Sequence, residues 1–206
     1  MPLDFSRPAV LALHYQNEVL HPDGKFAFGV AGDGAAQPAV VRGARGLLDL
    51  GRRRRWPLVH VRIAYRPDFS DVTQNCAIFR TVVARAVMAD GSWGAEFLEE
   101  LAPLPGEAVV THNRVNAFFR SGLETMLDAM RPSLLLVGGV ATNSVVEHTV
   151  RHATDLGWHS AVVEDACGAA SPAVHAAALH NLRLLAEVCR LDEIRRLADG
   201  WKREAR

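Results

Sequence analysis

Residues 133–151 read SLLLVGGVATNSVVEHTVR, and this stretch decides the fold. An apolar run, Leu134–Val137, meets Gly138 and Gly139, and a Thr142-Asn143 pair then opens a segment with apolar residues at helical spacing. The pattern predicts a strand, a tight turn and a helix N-terminus. In an open α/β sheet such a junction is a ligand site, because free backbone N–H groups and the helix dipole converge at the carboxyl end of the strand. Small residues there let a ligand approach the backbone closely.

The same alternation runs outward in both directions. Short apolar runs at Ala9–Leu13, Pro57–Ala64, Ala108–Thr111, Leu134–Val137 and Ala161–Val163, with a weaker one near Glu187–Leu191, predict strands. Their near-continuous apolar content suits strands covered on both faces. Between them Val40–Arg55, Trp93–Leu101, Leu123–Met130, Thr142–Leu156 and Pro172–Ala186 carry helical periodicity. The expectation is one domain over residues 1–206, a three-layer, doubly wound α/β sandwich around a mostly parallel six-stranded sheet. Two long connections, Gln16–Gln37 and Arg66–Ser92, interrupt it, the second with an amphipathic stretch at Ala77–Met88. Loops of that length in a compact domain are usually lids or partner surfaces.

Composition narrows the partners. Lys and Arg number 23, as do Asp and Glu, so no net field favours nucleic acid or an anionic membrane. The arginine run Arg52–Arg55 closes a helix before Trp56-Pro57 and reads as a dipole partner or a solvated face. Cys76, Cys167 and Cys189 are widely spaced with no CxxC, the N-terminus lacks a long apolar segment, and no run reaches membrane-spanning length. These features predict a cytoplasmic protein with reduced thiols and a small-molecule partner.

Two histidines fall where a parallel sheet places chemistry. His14 ends the first strand and His112 the third, on the same edge as the glycine turn. Arg62, two residues beyond His60 on the second strand, and Arg114, two beyond His112, are candidates to pin a substrate carboxylate. No carboxylate at metal-ligand spacing joins His14, His112 and His60, and neither a metal nor another cofactor is expected.

These motifs resemble those of the isochorismatase-like cysteine hydrolases. The run Gly139-Val140-Ala141-Thr142-Asn143-Ser144-Val145-Val146-Glu147 is similar to the family's Gly-Val-Ala-Thr-Asn-x-Cys-Val-Glu, His14-Tyr15-Gln16-Asn17 to its Asp-x-Gln-Asn, and His112-Asn113-Arg114-Val115-Asn116-Ala117-Phe118 to its Lys-x-Arg-x-Ser-Ala-Phe. The family's acid/base aspartate, lysine and nucleophilic cysteine then correspond to His14, His112 and Val145. By the same resemblance Gln16, Phe118, Val140, Ala141, Thr142 and Val145 surround the substrate. It further implies a cis peptide between Val140 and Ala141 and assembly as a homodimer or homotetramer.

Valine offers no thiolate, so a thioester at position 145 is excluded. Three readings stay open. His14 and His112 act as a non-covalent acid/base pair; the chain is an inactive small-molecule binding or scaffold member; or Cys76, in the second long loop, serves as a relocated nucleophile. Exchanging a carboxylate and an ammonium for two imidazoles predicts titrations, and a bell-shaped activity profile, near neutrality.

Overall fold

Alternation of side chains along the strands divides the molecule into layers. On β1 (Pro8–Leu13), Val10 and Ala12 pack on one face of the sheet while Ala9, Leu11 and Leu13 pack on the other. On β4 (Leu134–Val140), Leu134 and Leu136 oppose Leu135 and Val137 in the same way. The first face is covered by α2 (Ala36–Arg54), α3 (Ala77–Arg85) and α7 (Leu191–Gly200). The second is covered by α4 (Leu123–Met130), α5 (Glu147–Asp155) and α6 (Pro172–Leu182). Each Leu or Val so enclosed contributes roughly 1.5–3 kcal/mol of burial. The structure, a computed structural model, describes residues 2–26, 29, 30, 34 and 36–201.

The six strands, completed by β2 (Leu58–Ile63), β3 (Ala108–His112), β5 (Ser160–Gly168) and β6 (Glu187–Cys189), lie in the order β3-β2-β1-β4-β5-β6 with every pairing parallel. Chain direction across the sheet reverses between β1 and β4, so a crevice forms at their carboxyl ends. The structure has the α/β, doubly wound architecture that the sequence predicts.

Some details differ from expectation, each for a physical reason. Gly138 and Gly139 belong to β4 and not to a turn, and the chain leaves the sheet only at the cis peptide Val140–Ala141. Glycine is needed there for space, since a Cβ on Gly138 would lie 2.4 Å from the Tyr15 hydroxyl and one on Gly139 2.6 Å from Leu13. Strand β5 runs on through Glu164, Asp165 and Ala166, which the sequence reading put beyond it. Trp93–Leu101 forms two single 3-10 turns, Trp93–Ala95 and Glu99–Leu101, because Phe97 is drawn into a bridge with Gln16. Helix α7 carries no strong start signal in the sequence but buries Leu191, Ile194 and Ala198. A short helix α1 (Asn17–Leu20) opens the first long connection. The arginine run is not simply solvated, as Arg52 grips Glu107 through two hydrogen bonds and Arg54 pairs with Asp199.

Candidate functional site

His14 follows β1 with φ 56°, a left-handed conformation that costs a non-glycine residue on the order of 1 kcal/mol or more. Its backbone N–H is held by the Val61 carbonyl at 2.8 Å. The ring meets His112 of β3 across the end of β2: the two Nε2 atoms are 2.5 Å apart and the ring centroids 4.8 Å. His14 is 7% exposed and His112 4%. One Nε2 must carry the shared proton and the other accept it.

Burial sets the charge of this pair. Desolvation, reinforced by His112, holds His14 well below the ordinary imidazole value. Desolvation also pushes His112 down to about 4, opposed weakly by the Asn116 backbone. Both rings are therefore neutral at pH 7, and the expectation of titrations near neutrality is corrected by the apolar surroundings. His112 Nδ1 is enclosed without a hydrogen bond of ordinary geometry.

His14 lines a small cavity with about 40 Å3 open to water. The two long connections wall it, Val19 and Phe26 from the first and Ile78, Phe79, Val82 and Met88 from the second. The floor is Val140 and Ala141 at the end of β4, with Ser144 beside them. Ser144 belongs to a π-helical turn, Thr142–Val146, that precedes α5. This wider turn sets Ser144 at the cavity, while Val145 is buried among Leu11, Leu13 and Val146 in the core beneath α4–α6.

Of the residues expected around a substrate, Val140 and Ala141 line this cavity, and its lining does not include the others. Gln16 is fully buried and clamps two elements: its amide donates to the carbonyls of Ile63 and Ala95, and its carbonyl accepts the Ile63 N–H. Arg62 donates to Asp90 at 2.6 Å and to Thr111 at 3.0 Å. Arg114 stacks on Phe79, 4.6 Å from the ring centroid, and reaches the Thr73 carbonyl. Phe118 stacks on His152 and Trp158. Thr142 bonds His175 at 2.8 Å, bracing the turn after β4 against α6. Cys76 caps α3 and packs on the core, and the cavity lining does not include it. Burial pushes Cys167 up to about 12 and Cys189 up to about 11, which leaves both as inert thiols.

Sequence reasoning missed Ser144, which stands in the variable position of the motif, and it missed the individual wall residues. The amphipathic stretch Ala77–Met88 was the signal available for the latter. His60 is engaged elsewhere, 2.8 Å from Glu107, whose carboxyl is held down at about 2 by Arg52, the Leu104 N–H and His60 against its own desolvation. Among the described residues no group of three or more His, Cys, Asp or Glu could hold a metal ion, and no helix is long and apolar enough to cross a membrane.

Known proteins resemble this chain in sequence and in fold. The chain is 28% identical over 196 residues to the ureidoacrylate amidohydrolase RutB of Caulobacter segnis, a match covering 88% of this chain and 81% of that one. The structure of an isochorismatase family protein from Desulfovibrio vulgaris superposes with a TM-score of 0.82 at 24% identity, covering 93% of this chain and 98% of that chain. A cysteine hydrolase from Pseudomonas syringae pv. phaseolicola gives 0.84 at 23% identity, over 97% and 96% of the two chains. At such identities these two likenesses speak for the fold. The isochorismatase domain family matches residues 8–193, and the chain belongs to that family.

Proposed function

We infer that this protein is an isochorismatase-family enzyme that acts on a small molecule by proton transfer through His14 and His112, without a covalent intermediate. The carrying observation is the buried contact between the two Nε2 atoms at the carboxyl edge of the sheet, 2.5 Å long and beside a cavity. His14 Nδ1 takes no hydrogen bond among the described residues, so the ring has a free nitrogen for a ligand. In the tautomers that suit catalysis His14 carries its proton on Nε2 and donates it to His112. When Nδ1 accepts a proton from a substrate or an attacking water, the Nε2 proton passes to His112 Nε2, and the positive charge moves one ring further from the reacting atoms. The reverse transfer returns a proton to the leaving group.

Val145 in the core and Cys76 outside the cavity lining argue against a thiol mechanism. The name of the Caulobacter relative makes amides a first class to try. The test is a screen of amides, vinyl ethers and small carboxylates, followed by kinetics of the best hit with wild type, His14→Ala and His112→Ala. Turnover is expected to fall on the order of 100-fold or more in each variant while the fold persists. If both variants work as fast as wild type, or if nothing reacts while a ligand binds tightly, the non-catalytic binding reading replaces this one.

A further inference from the structure

The same cavity carries information about charge. Of the described residues that line it, only His14 and Ser144 present polar side chains; no Lys, Arg, Asp or Glu is among them. His14 is neutral, held so by burial. The arginines adjacent in sequence to lining residues do not themselves line the cavity: Arg62 donates to Asp90 and Thr111, Arg80 to the Gln74 carbonyl, and Arg114 stacks on the wall residue Phe79 and donates to the Thr73 carbonyl. A carboxylate entering this space would leave water without meeting a cation among the described lining residues, which disfavours it in an apolar setting.

Ser144 offers the complementary feature. Its backbone is spoken for, the N–H by Ala141 and the carbonyl by His148 Nδ1, but its hydroxyl has no hydrogen-bond partner among the described residues. The space open to water is about 40 Å3. A space of this size admits water and suits a small ligand fragment.

We propose that the cavity selects a small uncharged group, an amide, ester or ether carrying one oxygen on a short apolar body, and that the Ser144 hydroxyl is the specificity-determining anchor that holds this oxygen beside His14. The proposal rests on the assignment of this cavity as the working site. Ser144 donates to the ligand oxygen, His14 Nδ1 faces the group to be protonated or deprotonated, and the aliphatic wall excludes the ionised isostere.

Acetamide and acetate differ in charge and hardly in shape, which makes them the probes. Each is titrated at pH 7.5 into wild type and Ser144→Ala, with the ring resonances of His14 followed by NMR and the fold checked by circular dichroism. Acetamide is expected to shift the His14 signals saturably and acetate to bind at least about tenfold more weakly. Ser144→Ala should weaken acetamide by about 2- to 12-fold, the net worth of one neutral hydrogen bond. Acetate binding as tightly as acetamide, an unchanged acetamide affinity in Ser144→Ala, or no effect of either probe on His14 up to the solubility limit would each overturn the proposal. The outcome is separable from the proton-transfer reading: selective amide binding with full turnover in His14→Ala removes that reading alone, whereas loss of turnover in His14→Ala with no amide preference removes this inference alone.

Discussion

Acidification from pH 7.5 to 4.5 is expected to destabilise the fold through the buried histidine pair. An unfolded imidazole titrates near 6.5, whereas folded His112 titrates at about 4. Because the folded value is depressed, the unfolded state binds the proton first, so stability is full above about pH 6.5 and is lost as the pH falls toward 4. At about 1.4 kcal/mol per pH unit the complete loss is about 3 kcal/mol, of which about 2.5 kcal/mol is gone by pH 4.5. His14 shifts in the same direction and adds to it. For a domain of ordinary stability, about 5–15 kcal/mol, this is a large fraction. The assay is guanidinium unfolding at several pH values in wild type and in a His14→Asn/His112→Asn double variant. The double variant removes both rings at once, leaving neither buried without a partner. Carboxylates titrate alike in the two proteins, so the double variant should lose at least about 2.5 kcal/mol less over this interval. Equal losses would refute neutral burial of the pair.

Two further predictions concern the scaffold. Glu107→Gln breaks the grip on Arg52 and His60 at the amino edge of the sheet and should cost about 2–3 kcal/mol by chemical denaturation, since the carboxylate is the shared acceptor of a largely enclosed cluster. Its ordinary value is 4.5 and its folded value about 2, so this contribution is present above pH 4.5 and fades only between there and 2. Gly43→Ala would place a Cβ 1.7 Å from the Asp165 carbonyl oxygen, forcing α2 off β5, and soluble yield or melting temperature should fall sharply; a variant as stable as wild type would contradict the packing described.

Much of the fold was legible because strand and helix periods alternate cleanly and the strands are apolar on both faces. His14 and His112 were legible as strand-end residues. Their direct contact was not, because it depends on β2 lying between β1 and β3, an order that alternation alone does not specify. The partners of the arginines were not legible for a related reason: spacing along a strand fixes a face, but the groups waiting there, Asp90 and Thr111 for Arg62, come from distant segments. The exchange of Ser144 for Val145 at the cavity follows from a π-helical turn, whose extra residue leaves no mark on apolar periodicity. The pKa directions required the burial itself, since the same imidazoles in water titrate near 6.5.

The account depends most on the two rings being neutral partners that share one proton. Long-range nitrogen–proton NMR of the histidine side chains at pH 7, followed through an acid titration, tests this directly. The account predicts a single neutral tautomer for each ring, with Nε2 protonated on His14 and unprotonated on His112, and His112 taking up a proton only near pH 4. An imidazolium on either residue at pH 7, or independent titrations near 6.5, would contradict it.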